Sequence, residues 1–81
     1  MEATLAQTIA FCGQNQVLMM MRYNGNEREV EVYSYKITGK GDTLLYAYCY
    51  KDQQIESFRV DKIEHAKATK TPFNPKWEIK L

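Results

Sequence analysis

Three tyrosines at alternate positions, Tyr46, Tyr48 and Tyr50, form a chemically distinctive pattern in the sequence, and Phe58 and Arg59 follow after a short polar segment. Aromatic rings that stack on bases, beside cations that hold phosphates, are common components of single-stranded nucleic-acid sites. Tyrosines on one face of a strand can also simply pack beneath another element, here the N-terminal helix. The pattern therefore has two interpretations, a ligand-binding face or a covered packing face.

Other reactive residue types do not form a catalytic pattern. His65 is the only histidine, and neither Ser34 nor Ser57 lies in a glycine-flanked nucleophile motif. We therefore expect no enzymatic activity.

Three carboxylates, Glu27, Glu29 and Glu31, recur at every second residue, so at least two of them share one face of a strand. Solvated charges opposite Lys or Arg across a sheet are the usual reason for this spacing, rather than a general acid and base. Gly39 and Gly41 lack the spacing of a phosphate-binding loop and indicate a hairpin turn.

Cys12 and Cys49 lie far apart in sequence and outside any Cys-x-x-Cys spacing. This separation argues against a zinc site and against a disulfide framework. We expect two buried free thiols and no metal or cofactor.

The positions of apolar residues predict one helix followed by five strands. Leu5, Ile9 and Cys12 recur at helical spacing over residues 3–13, and Gly13 is a plausible helix stop. Strands are predicted at 17–23, 27–37, 43–50, 55–60 and 63–69, joined by tight turns that include an Asn-Gly pair. A mainly β fold follows, with the strands strongly bent into a small barrel and the helix covering one end or one face.

Alternation on the third strand gives it two distinct faces. Leu45, Ala47 and Cys49 are small and apolar enough for the interior of a barrel, whereas the tyrosines lie on the opposite side. We assign residues 1–71 to the barrel domain and residues 72–81, with both prolines and the only tryptophan, to a tail or edge strand.

The length of the chain limits it to one domain. It has 81 residues, of which 44% are hydrophobic and 26% charged, and its formal net charge is +1. This balance is typical of a folded domain, and any attraction to phosphate must come from locally clustered cations.

Without a basic, apolar leader or a long apolar run, we expect a cytoplasmic protein and no membrane partner.

Two segments resemble the WYL domain family: "MRYNGNEREVEVYSYKI" and "LLYAYCYKDQQIESFRVDKI". The resemblance covers residues 5–70. Phe58, Arg59 and Asp61 match the family's arginine-rich segment, and Lys62 replaces its second arginine. Three departures are Glu56 in place of the first arginine, Val32 in place of a frequent proline, and Thr43-Leu44-Leu45 in place of the name-giving Trp-Tyr-Leu, of which only the leucine is kept.

This resemblance implies an SH3-like or Sm-like five-stranded barrel that acts as a sensor in bacterial regulators of transcription. It also implies a nucleotide-like or single-stranded nucleic-acid ligand. We therefore expect a non-enzymatic module that binds such an anionic ligand through Arg28, Tyr46, Tyr48, Arg59 and Lys62.

The alternative is a protein-interaction or self-assembly module. Small barrels expose edge strands that pair readily, and the tail around Trp77 could add a strand to a neighbour. The partner would then be a second copy or another regulatory protein.

Overall fold

The computed structural model of the protein describes residues 4–81. Helix α1 spans Leu5–Asn15 and begins with a capping box. The Thr4 hydroxyl accepts a hydrogen bond from the Gln7 backbone N–H, and the Gln7 side chain accepts one from the Thr4 backbone N–H. This box supplies partners for N–H groups that the start of a helix otherwise leaves unpaired.

The helix continues beyond the predicted stop at Gly13. Gly13 is buried within α1, and Gln16 ends the helix in the left-handed conformation with a φ of 54°. A Cβ at Gly13 would overlap the Leu81 side chain, so the glycine makes room for the tail. The prediction that Gly13 ends the helix is therefore wrong.

Five antiparallel strands form one sheet in the order β4-β3-β2-β1-β5. Their bounds are β1 Val17–Tyr23, β2 Asn26–Ile37, β3 Thr43–Cys49, β4 Gln54–Arg59 and β5 Ile63–Pro72, with a 3₁₀ turn at Val60–Lys62. The prediction of a mainly β fold with five strands and one N-terminal helix is confirmed. β4 and β5 are the sheet edges, and no ladder joins them within residues 4–81, so closure into an SH3-like or Sm-like barrel stays a prediction.

The hairpin between β1 and β2 turns at Asn24 and Gly25, which have positive φ angles of 51° and 76°. Positive φ at both central residues matches the twist of the flanking strands, and the Asn-Gly pair adopts it at low cost. The predicted turn is confirmed.

The helix and one face of the sheet enclose the main core, and we call this sheet surface the inner face. Ile9 and Cys12 of α1 pack there against strand residues that are almost fully buried. The strand residues are Met19, Met21, Val30, Val32, Leu45, Ala47, Cys49, Phe58 and Ile63. The predicted interior position of Leu45, Ala47 and Cys49 is confirmed.

The opposite surface, which we call the outer face, carries a second and smaller core. Leu18, Tyr33 and Phe73 are buried there, with Tyr48 and Ile79 packed against them. Phe73 and Ile79 belong to the C-terminal tail, so the tail covers part of the outer face.

Backbone hydrogen bonds hold the tail at two points. The Phe73 N–H donates to the Gln16 carbonyl oxygen at 2.9 Å, and the Lys80 N–H donates to the Tyr33 carbonyl oxygen at 2.7 Å. Lys80 also forms an isolated parallel bridge with Ser34. The molecule therefore has three layers: helix, sheet and tail.

Cys12 and Cys49 are free thiols and both are buried, as predicted. Burial raises the pKa of Cys12 to about 11 because the interior disfavours the thiolate. Among residues 4–81, no helix has the length and apolar character needed to cross a membrane.

Candidate functional site

Strand register brings three of the predicted ligand-binding residues to one surface. Tyr46 and Tyr48 alternate on β3, and Arg59 on β4 pairs with Leu44, the neighbour of Tyr46 on the same face. All three lie on the outer face, since the residues between them on β3 and β4 fill the main core. Tyr46, Tyr48 and Arg59 thus share one face of the sheet.

Arg59 contacts two carboxylates at the end of β4. One guanidinium nitrogen lies 3.4 Å from Asp42 Oδ1 and 3.2 Å from Asp61 Oδ2, and the side chain is 45% exposed. Lys62 follows in the 3₁₀ turn and is exposed. Exposed ion pairs contribute little free energy, so Arg59 can exchange a carboxylate for another anion at small cost.

Arg28 lies apart from these residues, at the edge of the inner face. Its Nη1 is 2.9 Å from Asp52 Oδ2, 3.7 Å from Glu56 Oε2 and 3.6 Å from Cys49 Sγ. The guanidinium also lies over the Phe58 ring, 5.8 Å from its centroid. The structure does not bring Arg28 together with the tyrosines.

The surroundings of Arg28 account for the acidic residue at position 56. Cys49, Asp52 and Glu56 place their ligand-type atoms within 4.8 Å of one another, a spacing compatible with a metal ion. The Arg28 guanidinium contacts all three groups and supplies the positive charge at this position. Glu56 therefore serves an internal ion pair on the inner side of the sheet.

The C-terminal tail, and not the helix, covers part of the tyrosine stripe. The Trp77 ring lies 6.2 Å from the Tyr48 ring and 5.4 Å from the Tyr33 ring, between centroids. Helix α1 packs on the inner face. The interpretation in which the helix covers the tyrosines is wrong, because β3 turns its small residues toward the helix.

A buried carboxylate lies beneath this part of the tail. Glu31 is 1% exposed and accepts hydrogen bonds from the hydroxyls of Tyr33 and Tyr50. The Lys76 ammonium donates a third hydrogen bond, at 2.8 Å to Glu31 Oε2. The expectation that Glu31 is a solvated surface charge is wrong.

Hydrogen bonding keeps Glu31 ionised despite its burial. Burial by itself raises the pKa of this carboxyl, but the hydrogen bonds from Lys76, Tyr33 and Tyr50 outweigh it and hold the pKa below the ordinary value. Burial and the bond to Glu31 raise the pKa of Tyr33 to about 12, and the same causes raise that of Tyr50 further.

Sequence reasoning missed Glu31 and Lys76 as members of one site. The available signal was the position of Glu31 between Val30 and Val32, where β2 crosses the centre of the sheet. Pairing of β2 with β3 places Glu31 directly opposite Tyr48. The tail position of Lys76 had no local signal.

The fold and the aromatic, charged outer face define a small β module of one sheet, one helix and a docked tail. Residues 6–68 match the WYL domain family, and the chain belongs to that family. A WYL domain is a regulatory, ligand-sensing module, and this general function applies to the chain.

A solved structure shows the same fold at low sequence identity. The chain is similar to proteasome accessory factor B/C (PafBC) of Arthrobacter aurescens, with a TM-score of 0.74 and 14% identity. The similarity covers 98% of this chain and 15% of that one, so the chain spans a small part of the length of PafBC. A comparison with curated proteins finds no match.

Proposed function

We propose that the chain is a non-enzymatic module of a cytoplasmic transcription regulator that binds a nucleotide-like or single-stranded nucleic-acid ligand. The ligand lies on the outer face at the β3–β4 pair, with its base on Tyr46 beside Tyr48. Arg59 and Lys62 hold its phosphates. Membership in the WYL family supports the sensing role.

The observation that carries this proposal is the shared face of Tyr46, Tyr48 and Arg59. A base needs an accessible ring and a phosphate needs a nearby exchangeable cation, and the half-buried Tyr46 and the half-exposed Arg59 lie on adjacent strands. The proposed site leaves out Arg28, because it lies apart from the tyrosines, pairs with Asp52 and Glu56, and has only 17% of its side chain exposed.

The test is fluorescence anisotropy of short labelled single-stranded DNA and RNA, titrated with the protein at low and near-physiological salt. Affinity should fall as salt rises, and Arg59→Ala should reduce the slope of log K against log salt by about 1. Tyr46→Ala should weaken binding at both salt concentrations through loss of stacking.

Arg22→Ala is the matched control. Arg22 is also 45% exposed and pairs with one carboxylate, Glu64, where Arg59 pairs with two, but it lies on β1 near the other sheet edge. Equal losses from Arg22→Ala and Arg59→Ala would mean that only general charge matters, and the site assignment would then fail.

Hydrolysis of esters and phosphodiesters, assayed with and without divalent metal, tests the non-enzymatic part of the proposal.

A second candidate function, self-assembly, is favoured by the free edge of β5. Within residues 4–81, β5 pairs with β1 and with no other strand, and a groove of about 620 Å³ lies between β5 and α1. Phe11 lines this groove and is 51% exposed. Since β5 is an edge strand, the β5 strand of a second copy could extend the sheet beside the groove.

Light scattering at high concentration tests self-assembly. Phe11→Ser should lower the average mass if copies meet at the groove, whereas Ile37→Ser, at an exposed apolar residue outside the groove, should leave it unchanged. A mass equal to one chain for the unmodified protein excludes this candidate.

A further inference from the structure

The Lys76 ammonium lies in a site with the chemistry of a cation receptor. Its Nζ is 2.8 Å from Glu31 Oε2, 4.4 Å from the centroid of the Tyr48 ring and 5.5 Å from that of the Tyr50 ring. A carboxylate on one side and aromatic faces on the other are the two features that stabilise an organic cation away from bulk water. We call Glu31, Tyr48 and Tyr50 the ammonium box.

The rest of the fold arranges the box before any cation arrives. Glu31 is 1% exposed, and hydroxyl groups of Tyr33 and Tyr50 donate to its two oxygens. These bonds orient the carboxylate but leave its negative charge uncompensated, and an unpaired buried charge is strongly unfavourable. The box therefore requires a cation.

Lys76 fills the box from a segment without regular structure, and its side chain is 44% exposed. Independent contacts hold the tail: Phe73 is buried, the Lys80 N–H bonds to the Tyr33 carbonyl, and the Lys76 N–H donates to the Tyr33 hydroxyl at 2.9 Å. The Lys76 side chain can consequently swing into solvent while the tail stays docked, which opens the box to an external cation.

We propose that the ammonium box is a binding site for a small primary alkylammonium ion, and that Lys76 is its tethered occupant. The site is separate from the anionic-ligand surface around Arg59, although Tyr48 borders both. Glu31 selects for N–H donors, because its oxygen lies at hydrogen-bonding distance from the ammonium. A quaternary ammonium ion satisfies the rings but not the carboxylate.

Butylammonium titrations of the Lys76→Ala protein test the proposal. This variant keeps the backbone N–H and removes the tethered ammonium together with its stem. Butylammonium should raise the melting temperature and change Trp77 emission in a saturable way, beyond the effect of sodium chloride at equal ionic strength. Butanol, with the same stem and no charge, and tetramethylammonium, with charge and no N–H, should have much weaker effects.

Two further variants locate the site. Lys76→Met keeps most of the stem without an ammonium, so its response to butylammonium should be weaker than that of Lys76→Ala but stronger than that of the unmodified protein, in which the Lys76 ammonium also competes for Glu31. The double variant Lys76→Ala with Glu31→Gln should lose the response, since the carboxylate is gone. A response that persists without the Glu31 carboxylate, or one equally strong for tetramethylammonium, would overturn the proposal.

The unmodified protein provides an independent measurement if Lys76→Ala does not fold. Butylammonium then competes with Lys76 for the box. Its apparent affinity is the intrinsic affinity multiplied by the fraction of time the box is vacant, so it falls about tenfold if Lys76 is bound nine-tenths of the time. Trp77 emission should still saturate, and Glu31→Gln alone should abolish the change. No saturable change in the unmodified protein, with Lys76→Ala either silent or unfolded, would refute the site.

Discussion

At the scale of single residues, the binding chemistry of each arginine depends on how its charge is compensated. Arg28 and Arg59 each contact two carboxylates, but the first is mostly buried and the second is half-exposed. Burial makes an exchange of partners costly, because a buried charge that loses its counterion stays desolvated and uncompensated. Of these two arginines, Arg59 is therefore the one suited to release its carboxylate partners for an incoming phosphate.

Glu31→Gln should lower the pKa values of Tyr33 and Tyr50. Both are raised by burial and then by the adjacent carboxylate, and the substitution removes the second cause. Spectrophotometric titration of tyrosine should show two residues ionising at lower pH than in the unmodified protein. Glu27→Gln, on the same strand but outside the hydrogen bonds of Tyr33 and Tyr50, should leave the curve unchanged; an identical curve for both variants would contradict the network.

The same carboxyl should make folding sensitive to acid. The pKa of Glu31 is lower in the folded protein than in the unfolded chain, so its stabilising effect is complete above the unfolded value. It is lost as the pH falls from that value through the folded one. Chemical unfolding across this acidic range should show a steeper decline for the unmodified protein than for Glu31→Gln, and parallel declines would refute the assignment.

At the scale of elements, two glycines serve different purposes. Gly25 has a φ of 76°, which residues with a Cβ adopt at a cost, whereas Gly13 has an ordinary helical position beside the tail. One glycine is required by local backbone geometry and the other by a tertiary contact.

Gly25→Ala should lower the free energy of unfolding by about 1–2 kcal/mol, because a left-handed backbone is unfavourable for alanine. Gly39→Ala is the control, since Gly39 also lies in a turn with open space around it but without a positive φ. Urea unfolding measures both. Equal effects would show that the turn conformation is not the cause.

Gly13→Ala should stabilise the helix but weaken the docking of the tail. Alanine favours the helix by about 1 kcal/mol over glycine, but its Cβ displaces Leu81. In a chain that ends at residue 78, where that overlap is absent, the free-energy effect of Gly13→Ala should be more favourable by about 1 kcal/mol than in the 81-residue chain. The same effect in both chains would mean that the tail does not contact Gly13.

At the scale of the whole molecule, the sheet is stabilised from both sides. A domain of this length buries only about 60% of the surface of its unfolded chain, so a single core is marginal. The helix closes the inner core, and Phe73 with Ile79 closes the outer one. The tail is thereby a part of the folded domain in energetic terms.

Phe73→Ala should lower the free energy of unfolding by about 3 kcal/mol, the usual cost of removing a buried aromatic ring. Phe11→Ala changes the same side chain at a position that is 51% exposed and should alter stability by less than about 0.5 kcal/mol. Denaturant unfolding followed by Trp77 fluorescence and by circular dichroism should give coincident transitions. Earlier loss of the Trp77 signal would show that the tail is not part of the cooperative unit.

The sequence by itself determined the helix, the five strands and the separation of small core residues from tyrosines on β3. These features depend on neighbouring residues: a period of two places Leu45, Ala47 and Cys49 on one side, and Asn24-Gly25 encodes its own turn. The aromatic and basic surface of Tyr46 and Arg59 followed from the same periodicity, once β3 and β4 were recognised as adjacent.

Only the tertiary structure decided which groups neutralise the charges and what covers the tyrosines. Lys76 reaches Glu31 across 45 positions of sequence, and Asp52 reaches Arg28 across 24. No local pattern encodes such pairs, because they depend on the path of the chain after β5 and on the turn after β3. The same long-range path buries Glu31 and turns a sequence of alternating carboxylates into a site that binds an ammonium group.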